Sequence, residues 1–477
     1  MKYIKISIVI LLVSFISIFA YKLTTNNSNN KISLTKEQMK EMLSYTIDGN
    51  STSSMPTKGS GYKVKSITCK SGSILSWDND NWLLEVEKLE SEDLCNIDFT
   101  TGTGSYTVTA VPSIAGSLDS TSKTTTENGQ VTFYTDAIID SVSGCTNEIS
   151  DGKVIVKNVT SNTTCNINVS YMKLYDKLLA DKTTRPGART DFSKVLTDNN
   201  TNTLYTGTEN GTTVYYFAGN ATDNWVKFGK NESNQDLYWR IIRTNSDGGV
   251  RLLYHGTSTT AENAYISSST AFNSSYEDSK YVGYMYDSNG TNSTIKNTID
   301  TWYKNNLTNY TKYLSTTAIY CNDRTGDGTY FGAYTRLRTN KTPTYDCTDT
   351  NDKFTVDTST GNGKLTYPIA LMTSDEVSFA GGLWATNAPT WYYYNSANGS
   401  STGTNWWWLL SPYYLSGGLA NVFLVHGSSD PGHLYYNYVG DTNVVRPAVS
   451  LKSCTLYSTG NGSASDPYTI KETTSGC

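Results

Sequence analysis

The chain has 477 residues, which at roughly 150 residues per domain predicts about three domains. Lys and Arg number 38 and Asp and Glu number 43, so the formal net charge is -5. No long run of one sign occurs, which argues against a nucleic-acid-binding surface. The low charged fraction of 17% and the 36 Tyr residues are typical of β-rich extracellular proteins.

The first residues resemble a secretory signal, because two lysines precede the apolar run Ile6–Ala20. Ala20 would suit the position before a cleavage site, but Ile18 is a poor match two places earlier. Residues 1–23 are therefore predicted to be a signal peptide or an uncleaved membrane anchor. We expect a secreted or membrane-anchored protein on the extracellular face of a bacterial cell.

The eight cysteines agree with export, since an even number in a secreted chain indicates disulfides. There is no C-x-x-C pair, and the three histidines are not at zinc-site spacing from any Cys, so we expect no metal and no cofactor. Eight cysteines allow 105 pairings, but the local spacing favours neighbours. The predicted disulfides are Cys69–Cys95, Cys145–Cys165, Cys321–Cys347 and Cys454–Cys477.

Two small β modules are expected to follow a stalk. Residues 24–60 are rich in Asn, Ser, Thr and Lys, with one charged helical patch, and are predicted to be a linker. Residues 61–102 and 103–171 each end in a Cys followed by alternating apolar residues, the period of a half-buried strand. We interpret them as a weak repeat of disulfide-linked, sandwich-like modules that act as spacers.

Residues 172–203 are predicted to form a helical linker, and 204–477 the largest domain. Within that domain the sequence predicts a hairpin across Asp247-Gly248. A helix is expected at about Ser293–Asn309, with Ser293 as its cap. Thr373-Ser374-Asp375-Glu376 is a capping box that starts a second, shorter helix.

Five short motifs stand out in the largest domain: Tyr238–Ile242, Thr373–Val377, Trp407–Pro412, Ala420–Val422 and Val445–Val449. Together they resemble a family of uncharacterised bacterial extracellular domains with W-W-L-x-S-P and V-R-P-A elements, and the resemblance covers roughly residues 210–470. The order of elements is also similar to the C-type-lectin-like fold of formylglycine-generating enzymes and of diversity-generating-retroelement variable proteins. The fold class that the resemblance implies is α+β: a C-type-lectin-like C-terminal domain, preceded by small all-β sandwich-like modules and an N-terminal apolar helix.

The residues that an enzyme of this fold would need are a reactive cysteine pair or an activated nucleophile. Formylglycine-generating enzymes use a reactive cysteine pair, whereas these cysteines are explained by local disulfides. His426 and His433 lie in a Gly-rich loop without the second motif that an activated nucleophile needs. The acidic run Asp323–Gly328 lacks the spaced ligands of a calcium loop and is better read as a turn. We therefore expect a protein that is not an enzyme.

The resemblance to variable proteins implies that certain residue types should be absent from the diversified segment. Adenine-directed mutation of Asn-type codons does not yield Lys, Glu, Gln, Met or Trp, and none of these occurs from Pro412 to Val445. An ordinary polar face of a β-domain could share this composition. Tyr with Ser, Gly and Asn is also the composition of adaptable binding loops. The residues predicted to bind ligand are Tyr413, Tyr414, His426, Asp430, His433, Tyr435, Asn437 and Tyr438.

Trp406, Trp407, Trp408 and Arg446 are expected to be scaffold, with Arg446 bonded to backbone carbonyls or a carboxylate. The predicted function is display of a Tyr-rich face that binds a protein or glycan ligand at the cell surface, with no nucleic-acid partner. The membrane would be contacted through the N-terminal segment. Two alternatives remain: a structural adhesion component without a dedicated pocket, and an enzyme of the formylglycine-generating type.

Overall fold

The computed structural model describes residues 41–78, 82–102, 104–197, 201–260, 263–275, 291–357, 363–388, 390–393 and 401–477. The predicted signal or anchor at 1–23, and with it the expected N-terminal apolar helix, lies outside these ranges. Within them, none of the helices combines the length and apolar character needed to cross a bilayer. The chain divides into two compact units, one ending at Ser170 and one running from Tyr171 to Cys477.

The expected α+β class is wrong. Strands make up 44% of the structure and helices 12%, and the strands form several separate sheets. The composition explains this result, since Thr and Tyr favour strands whereas Ser, Asn and Gly disfavour helix interiors. The longest helix in the described ranges has 13 residues.

From Leu43 on, the regular elements of the described part of the first unit are short strands, which fits the expected β-sandwich modules. Part of the predicted linker belongs to it, because Leu43, Tyr45 and Ile47 alternate along a strand and pack against the core around Trp82 and Phe99. The strands are β1 (Leu43–Ile47), β2 (Asn50–Thr52), β3 (Tyr62–Cys69), β4 (Ile74–Asp78), β5 (Leu83–Lys88), β6 (Cys95–Thr101), β7 (Ser105–Pro112), β8 (Ser122–Thr126), β9 (Gly129–Tyr134), β10 (Ile138–Ser143), β11 (Asn147–Ser150), β12 (Lys153–Val159) and β13 (Thr163–Ser170).

The two halves of this unit share a topological feature. In the order β2-β1-β6-β3, strand β1 runs parallel to β6, and in the order β10-β13-β7-β8, strand β7 runs parallel to β13. Strands β11-β12-β9 form a further sheet. Each half also has its predicted disulfide, Cys69–Cys95 in the first and Cys145–Cys165 in the second.

The second unit carries the remaining strands and the helices. Its strands are β14 (Thr183–Thr184), β15 (Thr203–Glu209), β16 (Thr212–Tyr216), β17 (Trp225–Lys230), β18 (Asp236–Thr244), β19 (Val250–Gly256), β20 (Ser267–Ala271), β21 (Tyr320–Cys321), β22 (Lys353–Phe354), β23 (Ile369–Leu371), β24 (Leu383–Trp384), β25 (Trp407–Ser416), β26 (Leu419–Val425), β27 (His433–Tyr438), β28 (Thr442–Val445), β29 (Pro447–Leu451) and β30 (Tyr468–Thr469). Its helices are α1 (Leu174–Asp181), α2 (Thr294–Asn306), α3 (Gly332–Tyr334) and α4 (Ser374–Phe379).

Several local predictions are confirmed in this unit. The hairpin β18–β19 turns at the Asp-Gly step, where the Asp247 carboxylate accepts the Gly249 N–H at 2.7 Å. Ser293 caps α2 by accepting the Lys296 N–H at 3.2 Å. The capping box is also present, with reciprocal bonds between Thr373 and Glu376 at 3.0 and 3.1 Å.

Two sheets organise the second unit. One contains nine strands, with β14-β15-β16-β18-β19-β29-β23 as its path, β17 pairing with β18, and β30 pairing with β17. The other has the order β20-β28-β25-β26-β27-β24. The chain passes from the second to the first between β28 and β29, at Arg446, which is fully buried. Its guanidinium donates to the carbonyls of Tyr254 and Tyr392 at 3.0 and 3.2 Å, which confirms the predicted scaffold role.

A buried ion network ties α4 to the first of these sheets. Glu376 accepts hydrogen bonds from Arg243 at 3.0 Å and Arg251 at 2.6 Å, and Arg243 also donates to Glu209 at 2.8 Å. Burial raises the pKa of Glu209, but Arg243 outweighs it and lowers the pKa to about 2. Glu209 is therefore charged at neutral pH, and each of the four side chains has a partner of opposite sign.

Candidate ligand-binding face

Five side chains meet where the short edge strand β24 joins β27. We call them the Trp384 cluster: Arg338, Trp384, Tyr413, Tyr435 and Tyr436. The Trp384 ring lies nearly parallel to that of Tyr413, with centroids 5.1 Å apart, and to that of Tyr435, at 5.3 Å. Tyr436 stacks on Tyr413 at 4.2 Å and an interplanar angle of 7°. Such offset stacks fix the ring planes and leave the outer rings ready to receive a further flat group.

Exposure divides the cluster into a base and a surface. Tyr413 is only 1% exposed, so it lies beneath the others. Trp384, Tyr435 and Tyr436 are half-buried, and Arg338 is exposed. A large aromatic side chain that is half in contact with solvent and held by a buried neighbour offers contact area with little entropy left to lose on binding.

Arg338 is held over the rings by its position after α3, in the π-helical turn Thr335–Asn340. Its guanidinium carbon lies 5.1 Å from the ring centres of both Tyr334 and Trp384. One terminal nitrogen, Nη1, donates to the Tyr413 hydroxyl at 2.8 Å. Two cation–π contacts and one hydrogen bond therefore fix the orientation of an exposed cation.

A row of tyrosines continues the surface away from Trp384. Tyr414 pairs with Asn421 on β26, and Asn421 pairs with Tyr438 on β27, so the three share one face of the sheet. Tyr438 is 37% exposed and Tyr330 is 41% exposed, and the Tyr330 ring lies 6.1 Å from that of Tyr414. The row therefore runs from Tyr330, two residues before α3, through Tyr414 on β25 to Tyr438 on β27, with buried Asn421 on the strand between them.

The predicted histidines form a second group with Trp406. His426 is stacked between Trp406, at 4.0 Å, and His433, at 4.4 Å. Burial lowers the pKa of both imidazoles, so both are neutral at pH 7. The Asp430 carboxylate lies 3.6 Å from His426 Nδ1. Trp406, expected to be scaffold, is half-buried and forms the outer layer of this stack, whereas Trp407 and Trp408 are buried.

The eight predicted binding residues therefore fall into two groups. Alternation along β27 assigns Tyr438 to one face, together with Tyr436, which was not among the predicted residues, and His433, Tyr435 and Asn437 to the other. Trp384, on the edge strand β24, contacts both Tyr435 and Tyr436 and so joins the two faces at the sheet edge. The Tyr435 ring lies 5.4 Å from both imidazoles, so it joins the histidine group to the Trp384 cluster. Asn437 accepts the Tyr438 N–H at 2.9 Å through its side chain, which positions the strand end.

Sequence reasoning missed Trp384, Arg338, Tyr334 and Tyr330, which come from segments far from 412–445. Arg338 and Tyr334 lie within the Cys321–Cys347 loop, which brings α3 against β25. A signal was present in the sequence, because Tyr330, Tyr334 and Arg338 recur every four residues, the spacing that places side chains on one side of a helix.

The described residues contain one cluster of possible metal ligands and the acidic turn considered for calcium. Three possible metal ligands lie close together at Cys69, Asp93 and Cys95, but the two sulfurs form a disulfide and are not available as thiolates. Asp93 instead accepts the N–H groups of Ser71 and Ser73 at 2.6 and 2.8 Å. In the suspected calcium run, Asp327 accepts the N–H groups of the turn that follows.

The cysteine pair that an enzyme of the formylglycine-generating type would need is also bonded. Cys321 and Cys347 form a disulfide, and Cys454 and Cys477 form another, so all four predicted pairings are confirmed. Four disulfides are typical of a chain that folds in an oxidising environment outside the cytoplasm. A cavity lies beside Cys321 and the ion network of Arg243, Arg251 and Glu376. Its volume is about 20 Å³, which is room for one water molecule.

Comparisons with protein-family models, curated proteins and solved structures found no match for this chain. The resemblance to the bacterial domains with W-W-L-x-S-P and V-R-P-A elements therefore stays a prediction.

Proposed function

We propose that the protein is exported to the bacterial cell surface and binds a ligand there through the Trp384 cluster and the adjoining tyrosine row. The observation that carries the proposal is a set of half-buried rings: Trp384 and Tyr436 stack on buried Tyr413, and Tyr435 stacks on Trp384. Aromatic side chains of this kind dominate the binding energy of protein surfaces.

The shape of the site favours surface binding over catalysis. The rings lie at the edge of a sheet, and Cys321 and Cys347, the pair considered for an enzyme, are oxidised to a disulfide. A ligand would contact several side chains across a shallow surface. This geometry suits a glycan or protein partner. The β modules of the first unit would act as a spacer between the cell and the binding face.

The export part of the proposal is tested separately from binding. The full chain, expressed in a bacterium, should be accessible to a membrane-impermeant amine reagent on intact cells, and its disulfides should be formed. Recovery of the chain in the cytoplasm with reduced cysteines would contradict the surface location. Neither result depends on knowing the ligand.

The binding part is tested on arrays of glycans and extracellular proteins. We expect the wild-type chain to bind some of the printed probes and the double variant Tyr435→Ala, Tyr438→Ala to lose at least tenfold in affinity, as expected when aromatic contact residues are truncated. Tyr134→Ala is the matched control, because Tyr134 is 55% exposed but lies in the first unit. Equal binding by the double variant and the control would contradict the proposal.

Diversification is an extension of this proposal, and the structure sharpens what it would look like. Strands β25 to β28 take up most of residues 412–445, but Ala420–Val425 is buried. A diversified segment would vary at the half-buried or exposed Tyr414, Tyr435, Tyr436 and Tyr438 and would spare the buried run. A near-copy in neighbouring DNA that differs at adenines in those four codons would support diversification, and its absence would leave a fixed face.

A further inference from the structure

We infer that the ligand of this face is an acidic glycan, and that Arg338 receives its carboxylate or sulfate group while the Trp384 cluster contacts the adjoining sugar. The inference rests on the proposed binding function and adds the chemical class of the ligand.

The first observation is the free edge of the Arg338 guanidinium. Nη1 donates to Tyr413, but among the residues that the structure describes neither Nε nor Nη2 of Arg338 has a hydrogen-bond partner. In the same described set, no carboxylate forms an ion pair with Arg338. The cation is therefore fixed in orientation by its rings while the edge that carries Nε and Nη2 stays open.

The second observation shows what such an edge accepts. Two residues earlier, Arg336 uses its Nε and Nη2 atoms to hold both oxygens of the Asp375 carboxylate, at 3.0 and 2.8 Å. A side-on pair of this kind matches the spacing of a carboxylate or sulfate and is one of the strongest contacts that a protein makes with an oxyanion. Arg338 presents the same pair of donors to solvent.

The local charge is also suited to an anion. Lys341 lies nearby, and burial together with the positive charge of Arg338 lowers its pKa. Lys341 donates to the Leu337 carbonyl at 3.0 Å, which keeps it in the same turn. Two cations in one turn attract an anionic group over a distance of roughly 10 Å at moderate salt.

The third observation distinguishes a sugar from a peptide. Across the described part of the second unit, the exposed large hydrophobic side chains are Tyr330 and Tyr438, and both carry a hydroxyl. No exposed aliphatic anchor or deep apolar groove accompanies them in that part. The sheet edge beside the rings is the two-residue strand β24, which is too short to pair with an extended peptide. Ring faces bordered by hydroxyls and one arginine suit a sugar ring with an acidic substituent.

The test uses an array of paired glycans in which each neutral core is printed with and without a sialic acid, a uronic acid or a sulfate, together with a Glu-rich peptide. The full chain is probed as wild type, Arg338→Ala and Arg338→Lys. We expect the wild type to prefer acidic members, and Arg338→Ala to lose about tenfold on them while changing little on neutral cores. Arg338→Lys should keep the charge but not the side-on geometry, and should recover only part of the affinity.

Arg185→Ala is the matched control, because this arginine also packs over a tyrosine, with its guanidinium 5.4 Å from the Tyr205 ring. An equal loss in Arg185→Ala would show that net charge alone is responsible and would overturn the inference. Glycan binding that ignores the acidic substituent, or preference for the Glu-rich peptide, would also overturn it while leaving the proposed function intact. Failure of the wild type to bind any probe on either array would contradict both.

Discussion

Two arginine–tryptophan pairs in the second unit have the same geometry and opposite surroundings. Arg446 lies 5.1 Å from the Trp407 ring, and Arg338 lies 5.1 Å from the Trp384 ring. Arg446 is fully buried and donates to two backbone carbonyls, whereas Arg338 is exposed and, among the described residues, forms a hydrogen bond through Nη1 alone. The comparison shows that residue type alone does not separate scaffold from binding surface, because burial and hydrogen-bond satisfaction decide it.

The largest expected effect concerns the buried pair. Arg446→Ala removes the guanidinium that donates to the carbonyls of Tyr254 and Tyr392. It also opens space beside Trp407, at the point where the chain passes from one sheet to the other. We expect the free energy of unfolding to fall by about 3 kcal/mol or more. Urea unfolding followed by tryptophan fluorescence measures this, since eight of the ten tryptophans lie in the second unit. A loss below about 1 kcal/mol would contradict the scaffold role.

Low pH should destabilise the second unit, because the buried Arg243 is paired there with the carboxylate of Glu209. The pKa of Glu209 is about 2 in the folded chain, below its ordinary 4.5, so its stabilising contribution is present above pH 4.5 and is lost as the pH falls towards 2. The difference corresponds to about 3 kcal/mol.

Unfolding free energies measured between pH 5 and pH 2 test the acid prediction. Glu209→Gln removes the titrating group, so we expect the variant to be less stable at pH 6 and to show a shallower fall with pH. If the two proteins lost stability in parallel over this range, another group would be responsible.

Tyr413→Phe should have a smaller effect, on both the stability of the chain and its affinity for ligand. The substitution keeps the ring stack but removes the hydroxyl that holds Arg338 Nη1 at 2.8 Å. We expect a stability loss of about 1 kcal/mol and a several-fold weaker affinity, because Arg338 would lose its fixed orientation. Calorimetric titration with a ligand selected from the array measures both affinity and enthalpy. An unchanged affinity would show that the hydrogen bond does not position Arg338.

Arg338→Ala should also have a small effect on stability. The side chain is exposed and pairs with no carboxylate among the described residues, but its loss removes the same hydrogen bond to Tyr413, so we expect the unfolding free energy to fall by about 1 kcal/mol. The same urea experiment used for Arg446→Ala provides a direct contrast. If both arginines contributed equally to stability, the comparison between scaffold and surface would fail.

The sequence predicted the local elements of the second unit better than their assembly. Asp247-Gly248, Ser293 and the Thr373–Glu376 box act through neighbours within four residues, so their geometry is encoded locally. The fold class could not be inferred from such local contacts, because it depends on which strands pair with each other across the whole unit. The α+β expectation failed since it followed the order of elements in a resembling family rather than the strand-favouring composition.

The candidate site was predicted in part for a similar reason. The Tyr-rich strands β25 to β27 were visible as an unusual composition, but Arg338 and Trp384 reach them only through the fold. Tyr413 was predicted to bind ligand and lies 1% exposed beneath the surface residues. Alternation along one strand identifies which residues share a face of the sheet. The burial of each side chain depends instead on which other parts of the chain pack over that face.

The most direct test of the binding face is the affinity of Trp384→Ala for a ligand selected on the wild-type chain. Trp384 contacts Arg338, Tyr413, Tyr435 and Tyr436, so its removal should disperse the cluster while the buried Trp407 and Trp408 keep the fold. With near-ultraviolet circular dichroism confirming a folded variant, we expect the affinity to fall at least thirtyfold, about 2 kcal/mol. A folded Trp384→Ala that binds the ligand as tightly as the wild type would contradict the account.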